Sequence, residues 1–493
     1  MGRRDALLRL SIMAALLLGG AMAPVFAADV KNLSVTVSSG TQANAYGGYT
    51  IEEGASALQN ALTLSGPAKV LGASAGGWSR WGNAEWNTLT IRLDEDGLLG
   101  PSDIVGGGVA ESEGGGAAVH NTVYIESGTV EGTVEGGVAV GINGVGDGTG
   151  DVLSNQVTMS GGTVYSVFGG ETGEGNANDN VVTIKGSAAV TGKSNAVYGG
   201  YTIDGNASGN IVNIEDDADI HGEIMGGYTR AGSLISGNKV NVTGGNVNEN
   251  TVYGAYTAYG DVLDNQAVIK GTGQAGSSDT NSVYAGFTNI GAAAGNILYI
   301  QDSAEIAGSA FAGYQGGFIS SETVERNQVF MSGGSVGGDL TGGGSNNGGE
   351  TLNNYVEITG GTVSGNVYSG FTDSADALEN TLTVAGGRVE GSLFGGYSNT
   401  GTANENKLTF SAGTAGSDAY GGYAQEGADG NEAVLSGTSV LEGNAAGGSS
   451  ARGEASGNSL TIKENSEVKG DAAGGDVYMG TISKNIITIQ YKA

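Results

Sequence analysis

This sequence predicts an all-β fold, one parallel β-solenoid of about 16 coils, and three observations carry that prediction. A short alternating strand opened by Asn recurs sixteen times. A small-residue pair flanked by apolar or aromatic residues also recurs sixteen times. Successive copies of this second mark stay 26 to 33 residues apart. Self-similarity at so short a period is the signature of a stacked repeat, in which each coil covers the apolar surface of its neighbour.

The first mark opens at Asn60, Asn87, Asn121, Asn155, Asn180, Asn210, Asn238 and Asn265. It continues at Asn296, Asn327, Asn354, Asn380, Asn406, Asn431, Asn458 and Asn485. The residues behind each Asn alternate, as in Asn180-Val-Val-Thr-Ile or Asn380-Thr-Leu-Thr-Val. Period two is the pattern of a half-buried strand and not of a helix. After the strand come turns such as Ser160-Gly161-Gly162 and Thr243-Gly244-Gly245, where glycine supplies positive φ at no steric cost. Parallel coils stacked at about 4.8 Å would give sixteen of them a rise of about 75 Å. An Asn amide at one turn position can bond the backbone and the same Asn one coil away, so the Asn column reads as a structural ladder.

The second mark reads Tyr46-Gly-Gly-Tyr49, Tyr198-Gly-Gly-Tyr201, Tyr253-Gly-Ala-Tyr256 or Phe394-Gly-Gly-Tyr397, with degenerate copies near Trp78, Val109, Val138, Glu171, Gly344, Ser449 and Asp476. We number the residue after the small pair as position zero. Four residues earlier the chain is usually apolar: Val167, Val197, Ile224, Val252, Val283, Val367, Leu393. Simple alternation then turns position zero inward with these residues and the aromatic at position −3 outward. That outward column is Tyr46, Phe168, Tyr198, Met225, Tyr253, Tyr284, Phe311, Tyr368, Phe394 and Tyr420. It is the candidate binding stripe, since aromatics at coil spacing can stack on sugar rings or seat a partner. Loops folding over it, or a bulge at the glycines that reverses the parity, would make it packing instead.

Composition sets the remaining bounds. Arg3, Arg4 and Arg9 lead into an apolar run from Leu10 to Met22, and Val25-Phe26-Ala27 is an A-x-A-like site. This order predicts a secretory signal peptide over 1–27 and a repeat domain over 28–493. The apolar run is too short to span a bilayer, and no segment of the mature chain is long and apolar enough to do so as a helix. Lys and Arg number 20 against 51 Asp and Glu, and removing residues 1–27 leaves 17 against 50. Such a field repels phosphate backbones, which argues against nucleic acid as a partner. Cys is absent, so nothing in this exported chain depends on disulfides. Glycine numbers 95, far above ordinary usage, but its periodicity points to turns and close approaches, not to a flexible linker.

The sequence offers no catalytic constellation, cofactor site or metal site. Its two histidines, His120 and His221, lack triad or zinc-ligand spacing. Glu215, Asp216, Asp217 and Asp219 form the densest acidic patch, but the equivalent turns on either side begin at Lys185 and Thr243 and add no carboxylate. Asp94-Glu95-Asp96 and Asp147-Gly-Thr-Gly-Asp151 could hold Ca²⁺ loosely, yet neither matches the nonapeptide calcium repeat and both read as solvated loop charge.

The signal peptide, the absence of Cys and the acidic Gly/Asn/Thr/Ser-rich coils resemble the passenger region of Gram-negative autotransporters and related β-helical adhesins. The stretch Gly360-Gly-Thr-Val-Ser-Gly-Asn-Val-Tyr-Ser-Gly-Phe-Thr372 carries the likeness, which covers essentially all of residues 28–493. The resemblance implies a right-handed parallel β-helix at the cell surface or outer membrane, or released from it. It further implies adhesion to a glycan or to a host or cell-surface protein. Autotransporters end in a membrane β-barrel, whereas this chain stops inside a coil at Asn485-Ile-Ile-Thr-Ile. Truncation before a barrel is the expectation, with a capping partner on the open last edge as the variant. A secreted β-helical polysaccharide lyase or hydrolase is the alternative function, and a self-assembling surface fibre subunit a further one.

Overall fold

The computed structural model describes residues 29–101, 104–111, 115–141, 147–193, 196–248, 250–277, 281–317, 322–346 and 348–491. The segment read as a signal peptide lies outside them. Among the described residues every element is a β-strand, and the strands pair in parallel as a β-solenoid of about 16 turns. The chain divides into two units, Met1–Gly232 and Ser233–Ala493.

A coil of the first unit has four strand positions. Val181–Ile184 follows Asn180, Ala189–Val190 follows the next turn, and Val197–Thr202 carries the small pair. A two-residue strand such as Ala177–Asn178 precedes the Asn. Each position pairs in register with its counterpart one coil away: Thr122 with Gln156, Gln156 with Val181, Val181 with Ile211. Alternation decides what the Asn-led strands bury. Val182 and Ile184, or Val212 and Ile214, are fully enclosed, while Val181, Thr183, Ile211 and Asn213 reach the surface. Branched aliphatic residues repeated at one coil position therefore make a continuous dry core, which is what holds a structure without cross-links.

The second unit repeats the scheme from Lys239–Val242 to Ile486–Tyr491. Gln266 pairs with Ile297, Ile297 with Gln328, Gln328 with Tyr355 and Tyr355 with Thr381, each in parallel. On the last described strand Ile486, Ile487 and Ile489 are exposed.

Candidate functional site

Two features organise the coils: an asparagine corner, and a face that carries rings on most of them. In the first unit Asn60, Asn87, Asn121, Asn155, Asn180 and Asn210 are buried. Asn60 donates its backbone N–H and its Nδ2–H to Asn87 Oδ1, at 2.9 and 3.0 Å. Asn87 does the same to Asn121, and its second Nδ2–H goes to Ala57 O at 2.9 Å. The second unit builds the same corner, with Asn354 donating to Asn380 Oδ1 and to Val324 O and Asn458 to Asn485 Oδ1 and Ala428 O. Both amide donors and both lone pairs of an interior member are used, which is what a buried amide requires.

The residue before each of the sixteen Asn is left-handed, with φ between 53° and 67°. Eleven of these are not glycine, among them Trp86, His120, Arg326 and Glu379. The pattern also begins one coil earlier than Asn indicates. Asn32 has φ 58°, and Leu33 donates its N–H to Asn60 Oδ1 at 3.1 Å. Leucine at the column hides this coil from a search for Asn.

The small pair is the other half of the same corner. A Cβ on Gly200 would lie 2.5 Å from Asn210 Nδ2, and one on Gly370 would lie 2.3 Å from Asn380 Nδ2. A Cβ on the preceding glycine, such as Gly47, would meet the Ala61 carbonyl at 2.7 Å and the Gly76 oxygen at 2.3 Å. Two successive residues therefore face inward. The strand register skips the first of them: Phe168 pairs with Tyr198 and Gly170 with Gly200.

This bulge overturns the expected direction of position zero. Alternation restarts at the glycines, so positions −3 and zero both project from the side opposite the core, and the enclosed neighbours are Val197 at −4 and Thr202 at +1. The rings prove the shared side. Tyr198 and Tyr201 meet edge to face at 5.4 Å and 87°, and Tyr253 and Tyr256 at 5.4 Å and 80°. Each position also stacks on its own kind along the coils, as Tyr253 on Tyr284 at 5.2 Å and Tyr256 on Phe287 at 5.1 Å. The result is a double column. Its −3 members are the deeper ones, with Phe168, Tyr198, Met225, Tyr284, Phe311 and Phe394 buried and Tyr46, Tyr253, Tyr368 and Tyr420 half-buried. The position-zero rings Tyr201, Tyr228, Tyr256, Phe287, Phe371, Tyr397 and Tyr423 are half-buried.

In the second unit the double column runs through Tyr253/Tyr256, Tyr284/Phe287 and Phe311/Tyr314, then Tyr368/Phe371, Phe394/Tyr397 and Tyr420/Tyr423. The coil between the runs carries Thr341 and Gly344, and Tyr314 lies across it, 2.8 Å from where a Gly344 Cβ would be. Burial pushes the Tyr314, Tyr368, Tyr397 and Tyr420 phenols upward, to about 12 for Tyr314, with Asp373 adding to the effect there. Polar groups rim the rings: Asn366 Nδ2 donates to Tyr368 at 3.0 Å and Tyr420 donates to Asp418 at 3.2 Å. Asp339, Asn366, Ser392, Asp418, Asn444 and Asp471 form a second ladder there, each accepting the backbone N–H of the next at 2.7 to 3.3 Å. Within a stack the ring faces are taken by neighbours, so edges and hydroxyls are what the face offers a partner.

The first unit interrupts its rings. Tyr46, Tyr49 and Trp78 pack with Val109 and Val138, and Trp78 Nε1 donates to Glu111 at 3.1 Å. Next come Glu135 at position −3 and Glu171 at position zero, then Phe168, Tyr198, Tyr201, Met225 and Tyr228. Glu135 is 1% exposed. It hydrogen-bonds Glu171, whose carboxyl burial pushes up to about 7 although the residue keeps some solvent contact. Sequence reading missed this pair because the two stand 36 residues apart in degenerate marks; the readable trace was an acid at a ring position in two successive coils. Hydrogen-bonded carboxyls are closer than the roughly 5–9.5 Å separations that glycoside hydrolysis uses.

The acidic groups singled out from sequence are held as turn and loop chemistry. Asp94 Oδ1 accepts the Asp96 N–H, and Asp151 Oδ1 accepts the Asn176 N–H at 2.8 Å. Asp216 accepts the Gly186 N–H, and Asp219 pairs with His221 at 2.9 Å on the surface. Trp86 and His120 stack at 4.1 Å, with Trp86 56% exposed.

Fold and corner together define a parallel β-solenoid repeat protein. No protein-family model, curated protein or solved structure matches the chain.

Proposed function

We propose that this chain is an exported β-solenoid of the autotransporter-passenger kind, at the cell surface or released from it, that adheres through its aromatic face. On this reading the partner is a glycan or a cell-surface protein, and the role is binding without catalysis. One observation carries it. The coils with Thr341 and Gly344, or with Ala446 and Ser449, lack rings yet pair in register with their neighbours on both sides. Rings are thus dispensable for coiling, and their concentration on one polar-rimmed face of the second unit calls for a partner.

The test substitutes Tyr256, Phe287, Tyr397 and Tyr423 with Ser in residues 28–493. Binding to immobilised glycans and to cells is then compared with wild type. Adhesion should fall by at least about tenfold, the effect of losing a few central aromatic anchors, while the β-sheet circular dichroism is retained. Unchanged adhesion with a folded variant would sink the proposal.

A further inference from the structure

We propose that Glu135 and Glu171 form a proton-operated latch that holds the loop at Asp147–Gly150 against the following coil. Glu135 lies on the strand Thr129–Val140 and Glu171 ends the strand Thr163–Glu171, one coil on. Past an irregularity between Val130 and Thr133 the two strands pair in register, with Glu135 beside Phe168 and Val138 beside Glu171. The carboxyls therefore meet diagonally, in columns that aliphatic groups and rings occupy on neighbouring coils. One proton between them makes a carboxyl–carboxylate hydrogen bond. Removing it to solvent leaves two carboxylates in contact where water is scarce, and like charges there repel strongly.

The mechanical link is the next residue. Thr172 is fully buried, and its hydroxyl contacts both Gly148 O at 3.0 Å and Gly150 O at 2.9 Å. Gly173 and Glu174 donate backbone N–H groups to Gly148 O at 3.1 and 2.7 Å. Glu171 is thus joined directly to a segment whose role is to pin the loop of the coil before it. Displacing Glu171 from Glu135 pulls on four hydrogen bonds at once.

The surroundings favour the protonated pair. The following strand, Val197–Thr202, presents Tyr198 and Tyr201, both of which feel Glu171. Beyond it lie Tyr228 and Glu223, and Glu223 is itself raised by burial. Arg230 acts on Tyr201. On the preceding side the strand Val105–Glu111 presents Gly106 and Val109 and ends in Glu111, which accepts from Trp78. Asp147 and Asp151 flank the pinned loop, and Asp151 holds Asn176.

The sign follows from linkage. A carboxyl raised from 4.5 to about 7 binds more protons folded than unfolded between those values. Its environment is undisturbed below 4.5 and destabilised progressively as pH rises through 7. The latch is closed in mild acid and open in mild alkali.

Hydrogen exchange of the full chain, corrected for intrinsic rates and compared at pH 5.5 and 8.5, tests this. Amides at 147–152 and 171–174 should lose at least about tenfold of their protection at the higher pH, since each tenfold fall in proton activity between pH 4.5 and about 7 weakens the closed state by up to about a factor of ten. Amides at 393–398 should not change. Glu171→Gln, which can donate to Glu135 at every pH, should keep the loop protected throughout. A wild-type loop indifferent to pH, or the same loss in the folded variant, would overturn the latch. If neither Glu171→Gln nor Glu135→Gln folds, infrared titration of the wild type decides. Loss of a buried protonated-carboxyl band near neutrality supports the latch, and its absence rejects it.

Discussion

The asparagine corner and the aromatic face lie on the same coils, yet they admit different residues. At the corner the Asn residues of each unit, Asn60 to Asn210 and Asn238 to Asn485, form the same kind of ladder. At the face, rings give way to Thr341, Gly344, Ala446, Ser449, Glu135 and Glu171 without loss of register. The corner is fixed because a buried amide has no neutral substitute: each one removed strands donors on one coil and an acceptor on another. The face varies because a ring lost there returns surface to water and leaves no polar group unpaired. Architecture resides in the first feature, and recognition is the role proposed for the second.

Asn380→Ala should break the comparison most severely. It leaves the Asn354 N–H and Nδ2–H without Asn380 Oδ1 and the Thr351 carbonyl without Asn380 Nδ2. Each stranded buried group costs about 1–3 kcal/mol, so a loss of about 3–5 kcal/mol is expected. Local opening should be visible as hydrogen exchange confined to the coils around 351–410. A loss under about 1 kcal/mol would mean that the ladder is not what holds the corner.

Gly370→Ala probes the same corner from its other half. The new Cβ would press on the Asn380 amide at 2.3 Å, and overpacking of that kind costs about 1–3 kcal/mol. Ala255 occupies the equivalent place before Asn265 and is fully buried, so the coil there has already adjusted. Ala255→Gly should change stability by less than about 1 kcal/mol. Chemical denaturation of both variants, read through coil-specific exchange, checks the asymmetry.

Tyr397→Ala tests the face. The ring stacks on Phe371 at 5.5 Å and on Tyr423 at 5.4 Å, and such pairs contribute about 0.5–1.5 kcal/mol each. A loss of about 1–2 kcal/mol is expected, with the coil still in register as Ala445–Ser450 is, but with the proposed adhesion reduced. An unfolded coil would place the rings with the architecture.

These contrasts also explain what the sequence could disclose. The Asn column was legible because one residue type is demanded at one place, and the alternating strands because each coil buries a single side. Position zero was not legible. Two consecutive glycines reset the alternation, and glycine carries no side chain to betray which way it faces. The corner at Leu33 was hidden because Leu stands where later coils have Asn, although the same coil carries the Tyr46-Gly-Gly-Tyr49 mark. Glu135 and Glu171 come together only through stacking of degenerate copies.

The smallest effect expected lies just outside the corner, at the left-handed residue before each Asn. Glu379 holds φ 54° and Gly430, at the equivalent place, φ 65°. A side chain there costs about 1–2 kcal/mol against the carbonyl that follows, while glycine adds about 0.4–1 kcal/mol of unfolded-chain entropy. Glu379→Gly should therefore stabilise its coil by about 0.5 kcal/mol. Trp86→Gly and His120→Gly gain the same relief but lose a ring pair stacked at 4.1 Å, worth about 0.5–1.5 kcal/mol, so they should come out neutral or slightly destabilising. Melting curves of the three variants side by side separate the cases. Equal stabilisation in all three would show that the Trp86–His120 stack contributes nothing to the corner, and would leave an exposed indole held in an unfavourable backbone state with no structural reason for it.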